Sequence, residues 1–322
     1  MAAVICLSLR GVAPIVHRPG AGMMREDGGR KSAIDSPAAV RSTCDYCRPP
    51  SRAGLRRRRV AGGRTLVTDD MLRTCAALTI WAIMAVFLGI PVLLIGFINP
   101  SRWVITRSSV LWGKAMLAAA GVRLTVVGRE HATDVEPRFY MANHQSALDI
   151  PLILAAVGGN VRFFSKSSLL RIPIFGWILA RYGIVPIEKS NARATHATLE
   201  RLLDRLRTDP ISLAVFPEGT RTRDGSLSPF RKGTMKIATR AGISVVPVAI
   251  EGSLAVNHRD DWCLRPGPVR VTLTEPIPAS QVASMTSTAL HDRVVSAIQS
   301  VLDETNANEG RREKVGIVSG TH

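Results

Sequence analysis

Residues 138–157 read RFYMANHQSALDIPLILAAV, and the way this stretch divides decides the fold. Arg138–Ala142 is a short apolar strand. Asn143–Ser146 is a polar turn, and Ala147–Val157 is an apolar helix. A strand that passes through a turn into a helix is the repeating unit of α/β proteins, and their reactive side chains gather at strand ends. His144 stands in this turn, and Asp149 follows five residues later. On a continuous helix, positions five apart point about 140° away from each other. His144 therefore meets Asp149 only if it precedes the helix, which Ser146 as N-cap would ensure. The bland alternative is that Ser146 and Asp149 form only a capping box, S-x-x-D, closing the helix start.

Downstream the same alternation continues. Val122–Val127, Asn160–Phe164, Gly183–Ile187, Ile211–Phe216, Ser244–Ile250 and Val269–Leu273 read as strands. Leu169–Tyr182, Arg193–Arg207, Thr234–Ala241 and Thr288–Leu302 read as helices, with Leu199, Leu202, Leu203 and Leu206 at helical spacing. The expected fold is α/β, with a mixed, largely parallel sheet flanked by helices.

Ahead of this pattern, Cys75–Ile98 (CAALTIWAIMAVFLGIPVLLIGFI) runs for 24 residues without a charge. About 20 apolar residues suffice to span hydrocarbon. Gly89 and Pro91 interrupt the run, and Ser108–Ala120 is a second helical candidate. The α/β domain is thus expected to be preceded by an apolar membrane-associated helix or two-helix hairpin. Residues 1–70 read as a disordered basic leader carrying Arg56–Arg59, with Met71 an alternative start. Residues 71–120 form the membrane-associated segment, 121–303 the α/β domain and 304–322 a flexible tail.

The 322 residues carry a formal charge of +17. That excess implies an anionic partner. Lys supplies only 7 of the 42 basic residues, an Arg bias that coding composition can also produce, so the charge is a weak guide. The basic residues lie largely in the leader and beside the apolar run, with few aromatics between them. A bilayer surface is therefore expected, and no nucleic acid. Cys44 and Cys47 form a lone Cys-x-x-Cys without a second ligand pair, and the five cysteines are scattered, so no metal and no disulfide framework are expected.

A second polar turn follows the buried strand Ile211–Phe216: Pro217-Glu218-Gly219-Thr220-Arg221. Its bland reading is an exposed loop with an incidental ion pair. Further on, Phe230-Arg231-Lys232-Gly233 opens a helix, where backbone N–H groups and nearby cations favour phosphate.

The pair NHQSALD and FPEGTR resembles motifs one and three of the glycerolipid acyltransferases, the lysophosphatidic acid (1-acylglycerol-3-phosphate) acyltransferase family. Val245–Ile250 resembles motif four. Lys166, Ile172–Trp177 and Gly183–Lys189 resemble the motif-two region, although Glu188-Lys189 stands where the family commonly has an acidic residue and Arg. The resemblance covers roughly Met71 to Ile277.

It implies transfer of a fatty acyl group from a thioester on coenzyme A or acyl carrier protein to the sn-2 hydroxyl of a lysophospholipid acceptor. No cofactor is implied, and the enzyme would sit on the cell membrane with its catalytic domain at the cytoplasmic face. His144 would be the base and Asp149 its partner. Glu218, Gly219, Thr220 and Arg221 would bind the acceptor, with Lys189, Lys166 and Lys232 assisting at phosphate. Glycerol-3-phosphate, another lysophospholipid or a glycolipid are the alternative acceptors, and a lipid esterase is the alternative chemistry. Phe175 and Trp177 are read as core packing ahead of an acyl-chain border. His131, His196 and His258 are read as solvent-exposed.

Overall fold

The computed structural model describes residues 102–318 except 133–135, 159–160, 174, 188–191, 209–210 and 262, together with residues 71–72, 74–81, 83 and 87. Seven strands form one sheet: β1 (Val122–Val127), β2 (Arg138–Ala142), β3 (Val161–Lys166), β4 (Val185–Ile187), β5 (Ser212–Val215), β6 (Ser244–Glu251) and β7 (Gly267–Leu273). Their spatial order is β1-β7-β6-β2-β5-β3-β4. All neighbours run parallel except β6 and β7, which are antiparallel. The mixed, mostly parallel sheet read from the sequence is the one observed.

Alternation along each strand divides the core into two layers. Tyr140, Ala142, Val246, Val248 and Ile250 face one side, where α1 (Arg102–Ala119) and α2 (Asp149–Val157) lie. Phe139, Met141, Leu213, Val245 and Ala249 face the other, covered by α4 (Ala192–Thr208), α5 (Lys232–Ala241) and α8 (Ser287–Val318). Leu290, Val294 and Ile298 of α8 recur every four residues and are fully buried. The shorter helices are α3 (Phe175–Arg181), α6 (Ser253–Val256) and α7 (Ala279–Ser284).

Helix α2 is buried almost all round, with only Ile150 exposed among its nine residues. Pro151 lies in its first turn, where a missing N–H leaves no helical bond unmade. Helix α1 crosses it closely at Gly113. A Cβ there would stand 3.1 Å from the Pro151 carbonyl oxygen and 3.2 Å from the Leu154 Cβ.

Several boundaries differ from the sequence reading. The helix expected over Leu169–Tyr182 divides into a 3-10 turn, Ser167–Arg171, and α3, with Pro173 between them. Pro lacks the N–H that would continue the ladder. Trp177 is exposed, not packed in the core, while the side chain of Phe175 lies outside the described residues. Helix α8 runs to Val318, past the expected end at Leu302, so residues 304–318 of the expected flexible tail are helical. Glu, Arg and Lys are good helix formers, and a polar composition by itself does not end a helix.

The leader, the Cys44–Cys47 pair, Lys189, the side chain of His196 and most of Cys75–Ile98 lie outside the described residues. Among the described residues no helix is long and apolar enough to cross a membrane. The described helical residues 74–81 are tied to the domain. Leu264 N–H donates to Thr74 Oγ1 at 3.0 Å, and Trp81 Nε1 donates to the Met116 carbonyl at 3.4 Å.

Gly113→Val is expected to push α1 off α2 and to lower unfolding free energy by roughly 1–3 kcal/mol, as overpacked cores do. Urea denaturation of the purified variant checks this. An unchanged midpoint would mean that the two helices part without cost.

Candidate active site

Strands β2 and β5 are parallel neighbours, with Met141 opposite Val215, so the segments leaving them emerge at the same edge of the sheet. From β2 the chain travels to β3, beyond β5. From β5 it returns to β6, on the other side of β2. Connections that leave adjacent strands in opposite directions open a crevice at their carboxyl ends, the usual binding position in such sheets.

Asn143 ends β2 with a side-chain splice. Its Nδ2 donates to the Ile250 carbonyl at 2.9 Å, and Ile250 N–H donates back to Oδ1 at 2.7 Å. This pair carries the pairing with β6 one step further after the backbone of β2 has turned away. His144 is thereby released into the turn. The sequence reading did not single out Asn143, because its partner is 107 residues away.

The His144 ring then meets Asp149. Nδ1 lies 2.7 Å from Oδ2 of Asp149, whose side chain is wholly buried. A carboxylate only accepts, so Nδ1 carries the hydrogen and Nε2 keeps its lone pair. Oδ2 also accepts the N–H groups of Gln145 at 2.7 Å and Ser146 at 2.9 Å. Asp149 thus accepts the Ser146 N–H, as the acid of a capping box does, while it holds the histidine. The two readings of the motif coexist in one side chain.

Ser146 is not the N-cap. Leu148 occupies that position, and the Ser146 hydroxyl accepts from Leu148 N–H at 3.1 Å. The helix begins at Asp149, two residues later than expected, because Oδ2 gathers the turn's free N–H groups and so lets the turn stay open.

The second turn is bound to the first. Glu218 is 4% exposed, and its carboxylate accepts His144 N–H at 2.7 Å and Ser228 N–H at 3.2 Å. Burial pushes the Glu218 carboxyl above the usual range, against the opposing pull of the His144 and Ser228 hydrogen bonds. The His144 carbonyl accepts Thr222 N–H at 2.8 Å, and Phe216 stacks on the imidazole with ring centroids 4.1 Å apart. Glu218 therefore braces the histidine turn, and it is not the incidental loop residue of the bland reading.

Beyond Glu218 the chain turns sharply. Gly219 has φ +71°, and a Cβ there would meet Arg231 Nε at 2.3 Å, so the Arg231 side chain lies against this glycine. Arg231 N–H also donates to the Pro217 carbonyl at 2.9 Å. Arg231 thus joins the turn, a placement that the sequence signalled only through the basic run before α5. Thr220 is exposed and Arg221 half-buried. Lys166 is exposed at the carboxyl end of β3, two strands from β2 on the same edge, and Lys232 is exposed at the first residue of α5.

The rest of the loop is pinned from within and from outside. Asp224 accepts from Ser226 Oγ at 2.6 Å, Ser226 N–H at 3.0 Å and Thr222 Oγ1 at 3.0 Å, and these bonds, those of Ser226 first, hold its carboxyl below the usual range. Arg259 donates to the Arg221 carbonyl at 2.6 Å, and His258 Nε2 lies 2.9 Å from the Arg223 carbonyl. His258, read as solvent-exposed, instead ties down the loop. His131 is half-buried within a 3-10 turn.

A family model described as Acyltransferase matches residues 123–251, a span that contains both turns and Arg231. Residues 123–251 form an acyltransferase domain. A 1-acyl-sn-glycerol-3-phosphate acyltransferase of Brassica napus chloroplasts is 36% identical to this chain over 146 residues, 45% of this chain and 42% of that protein. Its Arabidopsis thaliana counterpart is 34% identical over 49% of this chain and 45% of its own length. The chain thus spans less than half the length of these two relatives. Among solved structures, the 1-acyl-sn-glycerophosphate acyltransferase PlsC of Thermotoga maritima superposes with a TM-score of 0.65 at 26% identity, covering 74% of this chain and 97% of that one.

Glu218→Gln is expected to lose one of the two backbone bonds, since an amide offers only one acceptor oxygen, at about 1–3 kcal/mol of stability. The pH dependence follows from the raised carboxyl. The folded state holds this proton more tightly than the unfolded chain, so this group's contribution falls as pH rises from about 4.3 towards the raised value. Chemical unfolding across that window should show the stability of the parent protein falling relative to that of Glu218→Gln.

Proposed function

We propose that the protein is a membrane-bound O-acyltransferase that moves a fatty acyl group from a thioester to the sn-2 hydroxyl of 1-acyl-sn-glycerol-3-phosphate, giving phosphatidic acid. One observation carries the reading. The His144 imidazole is held through Nδ1 by buried Asp149, which leaves Nε2 as an acceptor, and the backbone N–H of the same residue is bound to Glu218 of the second turn. The names of the relatives and the sequence motifs point to the same acceptor and reaction class.

In this reading the acceptor hydroxyl gives its proton to His144 Nε2 as its oxygen attacks the thioester carbonyl carbon. Asp149 steadies the imidazolium that forms. Collapse of the tetrahedral intermediate breaks the carbon–sulfur bond, and the imidazolium returns the proton to the departing thiolate. Direct attack is favoured over an acyl-enzyme. Ser146, the nearest hydroxyl in sequence, is wholly buried, and it accepts Leu148 N–H and donates to Asn257 Oδ1 at 3.4 Å.

The acceptor phosphate is assigned to Arg221, with Lys232, Lys166 and Lys189 assisting. Arg is suited to bidentate phosphate contact, and the basic start of α5 adds backbone N–H groups. Glu218, Gly219 and Thr220 shape that site. The thioester, on coenzyme A or acyl carrier protein, is a co-substrate, and no cofactor takes part.

Attachment to the cell membrane, with the catalytic domain at the cytoplasmic face, is supported by the uncharged run Cys75–Ile98 and by exposed Ile80, Ile83 and Phe87 within it.

The test supplies purified protein with 1-acyl-sn-glycerol-3-phosphate and either acyl-CoA or acyl carrier protein thioester, and identifies the product by mass spectrometry. Phosphatidic acid is expected. Fatty acid released without an acceptor would instead mark an esterase. His144→Ala should lower transfer by roughly 10³-fold while the variant still folds and reaches the membrane. Substantial residual transfer would remove His144 as the base. Arg221→Ala should raise the acceptor KM about tenfold or more with a smaller effect on kcat. Unchanged acceptor kinetics would take Arg221 out of the phosphate site.

A further inference from the structure

Asp149 has a second oxygen, and the segment that follows β6 supplies its partner. Ser253 Oγ lies 2.8 Å from Asp149 Oδ1, and both side chains are wholly buried. Ser253 sits 104 residues from Asp149, two residues past the end of the acyltransferase match. Its place is enforced by the residue before it. Gly252 has φ +81°, and a Cβ there would stand 2.5 Å from the Pro268 carbonyl oxygen. Only glycine turns the chain there without strain, and the turn delivers Ser253 to the underside of the histidine motif.

We propose that Ser253 is a positioning residue of the acyl-transfer site, the third member of a Ser253–Asp149–His144 chain. The proposal rests on the reading of His144 as the base. A carboxylate cannot donate, so the serine hydroxyl gives its single hydrogen to Oδ1. The longer contact to Gln145 Oε1, at 3.4 Å, is secondary. Oδ2 is then left to the three donors of the histidine turn. Two consequences follow. The carboxylate cannot rotate about its Cβ–Cγ bond, which keeps Oδ2 in line with Nδ1. Part of its negative charge is also drawn towards Ser253, which moderates its hold on the imidazolium proton when that proton must return to the thiolate.

The experiment compares Ser253→Ala, Ser253→Thr and Ser253→Val in the full chain, with His144→Ala as reference. Thr and Val have nearly the same shape, so the difference between them isolates the hydroxyl from any disturbance of packing. Ser253→Ala and Ser253→Val are expected to lower kcat about tenfold, the scale of one hydrogen bond to a charged group. The acceptor KM should stay near the parent value, and the acid limb of kcat/KM should move to higher pH, because the unmoderated carboxylate holds the imidazolium more firmly. Ser253→Thr should recover most of kcat and return the limb.

Two results would overturn the proposal. One is Ser253→Ala with the parent's kcat and pH profile. The other is Thr and Val variants that behave alike, which would make Ser253 a packing residue only. If His144→Ala itself keeps its activity, the base reading fails, and the Ser253 series then has nothing to position.

Discussion

A carboxylate removed from water must be met by donors or it destabilises everything around it, and Asp149 is such a group. A fully buried, uncompensated charge costs several kcal/mol, and no segment of a small domain tolerates it cheaply. Three of its donors come from the turn that follows β2 and the fourth from the turn that follows β6. The charge therefore acts as a knot. Strand β2, helix α2 and the segment after β6 must all be in place before it is satisfied, and once they are, the His144 ring has little freedom left.

Glu218 performs the same service for the backbone that Asp149 performs for the ring. Its carboxylate takes the His144 N–H, Thr222 takes the His144 carbonyl, and Phe216 covers the ring face. The histidine turn and the glycine turn, 74 residues apart in sequence, are one structural unit. This explains why an acidic residue is useful next to a turn otherwise rich in cations. It is spent on the N–H groups of His144 and Ser228 inside the protein. The loop beyond is pinned by Asp224, Arg259 and His258, so Arg221 is presented from a fixed backbone.

Most of the sheet was legible because burial on both faces demands continuous apolar runs. Val245, Val246, Val248, Ala249 and Ile250 are all fully buried, and a short valine-rich run between turn residues reads as a buried strand. The stripe Leu290–Ile298 was legible for the matching reason in a helix. Element ends were less legible. Ser146 carries the composition of an N-cap, but the Asp149 carboxylate takes the N–H groups of Gln145 and Ser146, and the helix starts at Asp149. Trp177 reads as core from its type alone, and its exposure depends on where Pro173 breaks the helical stretch before it.

At the site the division is equally physical. The chemistry-bearing types, a histidine and an acid five residues apart after a strand and a second turn with glycine and arginine, were set by sequence alone, because reactive groups must sit where strands end. The direction in which Glu218 points, the splice from Asn143 to Ile250, the seat of Arg231 against Gly219 and the contact of Ser253 with Asp149 were decided only by the folded sheet. Each joins residues far apart in the chain, and a hydrogen bond, unlike a hydrophobic stripe, leaves no periodicity behind it to read.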